Sequence, residues 1–121
     1  MNNKMESLNK LKFYGEDFYF ECQEGWYDLL YEASEKIESI CDFYNIKNTF
    51  KATQVKEKFG SLRIYYEEEN IPSFISKQVS KIIEDIEIRS INICEVCGKE
   101  GNIEIIKKYT QVRCKNHSGK K

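Results

Sequence analysis

The chain has 121 residues, 40% apolar and 32% charged, with one proline, which is the composition of a single globular domain rather than a disordered chain. Its 19 cationic and 20 anionic residues leave a net charge of −1, which argues against a strongly basic nucleic-acid binder. No apolar run is long enough to span a membrane, and residues 1–10 lack the apolar stretch of a secretory signal, so we expect a cytoplasmic protein.

The predicted elements begin after a polar N-terminal segment. We expect residues 1–16 to be poorly ordered or loosely helical and residues 17–121 to form one α+β domain. Residues 17–22 are short and aromatic, which is typical of a strand. A helix is predicted from Trp26 to Tyr44, with Asn45 at its end. Its buried stripe comprises Trp26, Leu29, Leu30, Ala33, Ile37, Ile40, Cys41 and Tyr44.

Residues 50–67 predict a β-hairpin with Phe59-Gly60 as a two-residue turn. This register pairs Lys58 with Ser61, Lys56 with Arg63 and Gln54 with Tyr65. Strand alternation then divides the side chains between two faces. The polar face carries Gln54, Lys56, Lys58, Arg63 and Tyr65, and the apolar face carries Val55, Leu62, Ile64 and Tyr66. Glu57 is a misfit on the apolar face, explained either by its position near the turn or by a buried partner.

A second amphipathic helix is predicted to start near Pro72 and to end near Ser90 or Asn92. Its apolar positions are Phe74, Ile75, Val79, Ile82, Ile83 and Ile86. The tail carries one further short hairpin, formed by residues 103–108 and 110–114. We therefore expect two amphipathic helices on one face of a small antiparallel sheet. The tail hairpin is expected to supply the last strand, as in a split β-α-β arrangement.

The tail, residues 92–118, has the pattern of a zinc ribbon. Cys94 and Cys97 form a CxxC turn followed by Gly98, and Cys114 and His117 form a CxxH turn 16 residues later. Two intervening residues allow both ligands of each turn to reach one ion, and three thiolates with one imidazole complete a tetrahedron. A complete set of four protein ligands indicates a structural rather than a catalytic zinc.

Two alternatives compete with the zinc interpretation. One is a chance set of reduced thiols, and it leaves unexplained why the only histidine lies so close to a cysteine. The other is a redox CxxC motif, which is expected to open a helix without a second CxxH turn. Cys22 and Cys41 lie outside the metal pattern, and both are expected to serve in packing.

The polar face of the hairpin is the candidate ligand surface. Lys56, Lys58 and Arg63 with Tyr65 are suited to bind a phosphate, a carboxylate or a nucleic-acid backbone. The alternative is a solvated sheet face whose cations pair with glutamates. Trp26 and Tyr27 are further candidates, and with Tyr31 they are suited to stack on a planar ligand; the alternative is that they pack in or beside the core.

Catalytic signatures of the GxSxG, HExxH, P-loop, GxGxxG and zinc-deaminase types do not occur in the sequence. If zinc takes the only histidine, no imidazole remains to act as a general base. We therefore expect a protein without enzymatic activity.

Four segments carry a resemblance to a known family: GWYDLL at 25–30, VKEKFGSLRIYY at 55–66, CEVCGKEG at 94–101 and CKNH at 114–117. In this order they resemble a family of small bacteriophage and prophage proteins with GWxxL, KEKFGxLR and CxxCG…CxxH motifs and no assigned reaction. The resemblance covers roughly Cys22 to His117; Ser61 stands where such proteins tend to have a second glycine. It implies a phage setting, in the cytoplasm of the host.

Three functions are compatible with these features. The first is binding of an anionic, nucleotide-like ligand, with sequestration of a host defence signal as one such role. The second is a nucleic-acid-binding zinc-ribbon accessory protein, which the net charge disfavours. The third is a module that docks on a host protein and inhibits it. No membrane partner is expected.

Overall fold

The computed structural model describes residues 3–106 and 109–118, and it has a mixed α+β architecture, which confirms the predicted fold class. No helix in these two ranges combines the length and apolar character that a membrane span requires. In chain order the elements are α1 (Asn3–Asn9), β1 (Phe20–Glu21), a 3-10 turn (Glu24–Trp26), α2 (Tyr27–Phe43), β2 (Lys51–Lys58), β3 (Ser61–Glu67), α3 (Ser73–Ser90), β4 (Asn102–Ile106), β5 (Tyr109–Arg113) and a second 3-10 turn (Lys115–His117).

In its described part, residues 3–16, the N-terminal segment begins with helix α1, in agreement with the helical alternative of the prediction. Helix α1 packs against α2. Leu8, Phe13 and Tyr14 are buried, and the Tyr14 hydroxyl donates a hydrogen bond to the carbonyl of Leu30. The segment is polar on average, but its few large apolar side chains join the main core.

The two long helices follow the predicted periodicity. On α2 the buried side chains include Leu29, Leu30, Ala33, Ile37 and Cys41, and on α3 they are Ile75, Val79, Ile83, Ile86 and Ser90. Phe74 departs from the predicted stripe, since it is 54% exposed and meets Tyr44 edge-on at 5.3 Å between ring centroids. The helices pack against each other, and α3 also packs against β3.

The strand arrangement corrects two expectations. The main sheet has the order β1-β2-β3, with β1 parallel to β2 and β2 antiparallel to β3, so it is mixed rather than antiparallel. Because α2 returns the chain across the sheet between β1 and β2, these two strands run in the same direction. Strands β4 and β5 form a separate two-stranded sheet, so the tail hairpin does not add the last strand to the main sheet.

The β2–β3 hairpin has the predicted turn and register. Gln54 pairs with Tyr65, Lys56 with Arg63, and Lys58 with Ser61. Phe59 and Gly60 have positive φ values of 52° and 86°, as both central residues of a type I′ turn require. Val55, Leu62 and Ile64 are buried in the core. These contacts leave the polar face on the opposite side of the strands.

Helix α3 covers the backbone of β3 with its own polar side chains. The backbone N–H of Leu62 donates to Oγ of Ser90 at 2.9 Å, and that of Ile64 donates to a carboxylate oxygen of Glu87 at 2.8 Å. Burial raises the pKa of Glu87, while the Ile64 N–H and the charge of Arg63 oppose that rise. Two donors that an edge strand leaves unpaired are thus satisfied by the helix.

Candidate metal centre and ligand surface

The structure brings the four predicted metal ligands together at one point, where their donor atoms all lie within 4.8 Å of one another. Sγ of Cys97 and Sγ of Cys114 are 3.5 Å apart. Nδ1 of His117 lies 3.8 Å from Sγ of Cys94 and 3.0 Å from Sγ of Cys114. We call these four residues the Cys3His cluster.

These spacings fit a single small ion. Zinc bonds of about 2.3 Å to sulfur and 2.0–2.1 Å to nitrogen place tetrahedral ligand atoms about 3.5–3.8 Å apart. Two of the three measured separations lie in this interval, and the third is shorter. The set of three thiols and one imidazole is also one that zinc prefers. The Cys3His cluster is therefore able to hold a metal ion.

Two tight turns position the ligands. Gly98 has a φ of 83° and donates its N–H to the carbonyl of Cys94 at 2.9 Å, which closes the turn around the first pair. The N–H of Cys94 in turn donates to the carbonyl of Lys99 at 2.7 Å. The second pair lies on the 3-10 turn, where His117 N–H donates to the carbonyl of Cys114 at 3.1 Å.

The surroundings of Cys114 favour its thiolate form. Desolvation raises the pKa of this thiol, but hydrogen bonds from His117, Cys97, the Asn116 backbone and Cys94 outweigh that effect and lower it to about 6. A thiolate near neutral pH is the form that binds a metal ion.

The Gly-Trp motif lies directly against the first metal turn. Gly25 donates its N–H to the carbonyl of Glu95 at 2.7 Å. A Cβ atom on Gly25 would lie only 2.1 Å from the carbonyl oxygen of Cys94. The indole N–H of Trp26 donates to the carbonyl of Ile93 at 2.9 Å. The start of α2 and the metal turn therefore form one packed unit.

Glu95, which lies inside the CxxC turn, makes further contacts within this unit. Glu95 is 5% exposed, and its carboxylate accepts the N–H of Gln23 at 3.0 Å and lies 3.3 Å from Nη1 of Arg113 on β5. Its backbone N–H donates to Val112 at 3.1 Å. Sequence reasoning missed this residue, although a charged side chain between two metal ligands was an available signal.

The two remaining cysteines lie apart from the cluster. Cys41 is 1% exposed in the core, as predicted. Cys22 is half-buried beside the core, and burial together with the nearby charge of Glu95 raises its pKa to about 12. Both are therefore neutral thiols at pH 7 and serve in packing.

Trp26 and Tyr27 belong to the core rather than to a ligand surface, which corrects their prediction as ligand-binding residues. Trp26 is completely buried and Tyr27 is 5% exposed, with its ring 5.8 Å from that of Phe20. The 3-10 turn before α2 directs both aromatic side chains inward. Tyr31 is 39% exposed and lines a groove beside Lys10, outside the polar face.

The polar sheet face, defined as Gln54, Lys56, Lys58, Arg63 and Tyr65, is assembled as the register predicts. Among the described residues, none of its three cations lies within ion-pair distance of a carboxylate, although Lys58 lies 5.9 Å from the centre of the Phe59 ring. Tyr65 is 42% exposed. The face therefore presents cations and an aromatic ring to solvent.

The backbone and the side chain of Arg63 have different neighbours. Its backbone pairs with that of Lys56, but its side chain lines a groove with Glu84 and Glu87 of α3. Its Nε atom is buried without a hydrogen-bond partner within residues 3–106 and 109–118. The carboxylates of α3 thus moderate the charge of Arg63, and Lys56 and Lys58 are the cations farther from α3 on this face.

Comparisons of the chain with protein-family models, with curated proteins and with solved structures found no match. A function therefore has to be argued from the residues of the site.

Proposed function

We propose that the chain is a non-enzymatic binding protein, held together by a structural zinc ion, that binds an anionic, nucleotide-like ligand on its polar sheet face. The observation that carries the proposal is the group of three cations that form no ion pair with the described residues, beside an exposed tyrosine. In a chain of net charge −1 rich in glutamate, cations without carboxylate partners leave charge available for a ligand.

The zinc ion has a purely structural role in this proposal. Four protein ligands leave no open position for a water or a substrate. The resemblance to phage-encoded proteins supports a sequestering role, in which binding alone removes a host signal from solution. The chemistry of the face is that of nucleotide binding, with cations for phosphate and an aromatic ring for the base.

Titration calorimetry of the zinc-loaded protein with ADP, GDP and pyrophosphate tests the proposal. We expect heat of binding for wild type and at least a tenfold loss of affinity in the variant Lys56→Ala/Lys58→Ala, since each lysine supplies a phosphate contact. Lys77→Ala, which removes an exposed lysine of α3, is the matched control and should bind as wild type does. An absence of heat with all three probes would contradict the proposal.

The same experiment separates a free nucleotide from a nucleic-acid strand. A single-stranded oligonucleotide that binds more tightly than GDP, with affinity falling steeply as salt rises, would favour the nucleic-acid alternative. Displacement of GDP by pyrophosphate with a weak dependence on salt would favour the small ligand.

A further inference from the structure

A groove of about 650 Å³ adjoins the polar sheet face at the end away from the Phe59-Gly60 turn. Its lining includes Tyr19, 75% exposed, and Tyr65, 42% exposed. Tyr65 thus belongs both to the groove and to the polar sheet face. The volume falls in the range of small-molecule sites, and exposed rings offer stacking surfaces for a planar ligand.

The groove carries negative charge, in contrast with the cations beside it. Asp17 and Glu21 both line it. Glu21 accepts a hydrogen bond from Nε2 of Gln54 at 2.9 Å, which holds its carboxylate in place, and its second oxygen accepts no hydrogen bond from the described residues. A ligand group in this groove is therefore one that donates hydrogen bonds.

Along strand β2, the acidic groove lies at the Gln54 end, and the lysines of the polar sheet face lie closer to the Phe59-Gly60 turn. Glu21 of β1 is the strand partner of Lys56, but its carboxylate accepts a hydrogen bond from Gln54, which lies two residues before Lys56 on β2. Side chains two residues apart on one face are separated by about 7 Å, and Lys58 lies a further two residues on. One end of the surface therefore favours N–H donors and the other favours an anion.

We propose that the groove selects the base of the ligand and prefers guanine. Guanine presents two adjacent N–H donors on its Watson–Crick edge. These match the two oxygens of the Glu21 carboxylate, because the oxygen that bonds to Gln54 has a second lone pair. Uracil presents carbonyl oxygens on both sides of a single N–H, and these repel a carboxylate. Tyr19 and Tyr65 supply stacking to either base, and the phosphates lie toward Lys56 and Lys58. This inference depends on the proposed function, because it concerns the same surface.

Calorimetry of the zinc-loaded protein with GDP, ADP, CDP, UDP and pyrophosphate tests the base preference. We expect GDP to bind at least tenfold more tightly than UDP. Glu21→Gln keeps the size of the side chain and removes its charge, so it should weaken GDP at least tenfold. Pyrophosphate should bind at least as tightly as it does to wild type, because a negative charge beside Lys56 is lost. Glu21 is exposed, and an unaltered Trp26 emission spectrum verifies that the variant is folded.

The outcomes separate this inference from the proposed function. The guanine preference is overturned if the four diphosphates bind equally tightly, or if Glu21→Gln does not weaken GDP binding. Neither result contradicts the proposed anion site. An absence of heat with every probe, pyrophosphate included, overturns both.

Discussion

At the scale of single residues, Gly25 shows why a glycine precedes the only tryptophan of the chain. Its backbone lies against the carbonyl groups of Cys94 and Glu95, at distances that leave no room for a side chain. The neighbouring Trp26 fills the core and bonds to Ile93. The Gly-Trp pair is thus the docking point between α2 and the metal turn.

Gly25→Ala should destabilise the protein strongly. The added Cβ would lie 2.1 Å from the Cys94 oxygen and 2.4 Å from the Glu95 oxygen, both of them backbone atoms. We expect a loss of about 3 kcal/mol in the free energy of unfolding measured with urea. Gly15→Ala is the control: Gly15 has a φ of 93° but open space around it, so only backbone strain of about 1 kcal/mol applies. Equal losses would show that the close approach is unimportant.

Glu57, the misfit of the hairpin, caps the turn. Its carboxylate accepts the N–H of Gly60 at 2.7 Å. Glu57→Ala removes this acceptor, and we expect a loss of about 1 kcal/mol in the free energy of unfolding. Glu57→Gln keeps a carbonyl acceptor and should recover at least half of the loss. A glutamine variant as unstable as the alanine variant would indicate that the charge matters rather than the hydrogen bond.

At the scale of elements, α2 and α3 are joined by a bidentate ion pair. Nη2 of Arg89 lies 3.0 Å from Oε1 of Glu32, and Nη1 of Arg89 contacts Oε2 of the same carboxylate. The hydrogen bond from Arg89 is the main reason that the pKa of Glu32 is lowered to about 2. The pair lies at the surface, so solvent screens much of its energy.

A double-mutant cycle with Glu32→Ala and Arg89→Ala should give a coupling free energy of about 1 kcal/mol. Because the pKa of Glu32 is depressed in the folded state, this contribution is complete above about pH 4.5 and is lost as the pH falls toward 2. Urea unfolding at pH 5.5 and pH 7.5 should therefore give the same coupling. A coupling that halves between these values would contradict the assignment.

At the scale of the whole molecule, the Cys3His cluster connects the tail to the main core. The cluster anchors the turn that contacts Gly25 and Trp26, and Val112 of β5 is part of the core. Because the metal turn and the start of α2 form one packed unit, loss of a metal ion would disturb both.

Removal of the proposed zinc ion with a strong chelator should shift the fluorescence emission of Trp26 to longer wavelength, because water then reaches its buried indole. We expect the free energy of unfolding to fall by several kcal/mol, since structural zinc binding contributes on the order of 10 kcal/mol in small domains. Cys97→Ser should show the same spectrum without chelator and less than stoichiometric zinc. Cys22→Ser lies outside the cluster and should retain one zinc per chain. An unchanged spectrum in metal-free protein would refute the coupling.

Much of this protein could be predicted from local sequence patterns. Helical periodicity placed α2 and α3, and the alternation around Phe59-Gly60 gave the correct hairpin register. Ligand spacing identified the Cys3His cluster. These features depend on residues close together in the chain, whose geometry the backbone imposes directly.

Contacts between segments that are distant in sequence could be identified only from the tertiary structure. The parallel pairing of β1 with β2 and the docking of Gly25 on the metal turn join residues far apart in sequence. The tail hairpin is local, but its separation from the main sheet depends on how distant segments pack. The burial of Tyr27 and the acidic groove beside the cations arise in the same way. An amphipathic pattern indicates that a side chain is buried. Which distant surface covers that side chain depends on how the whole chain packs, and no local pattern specifies this packing.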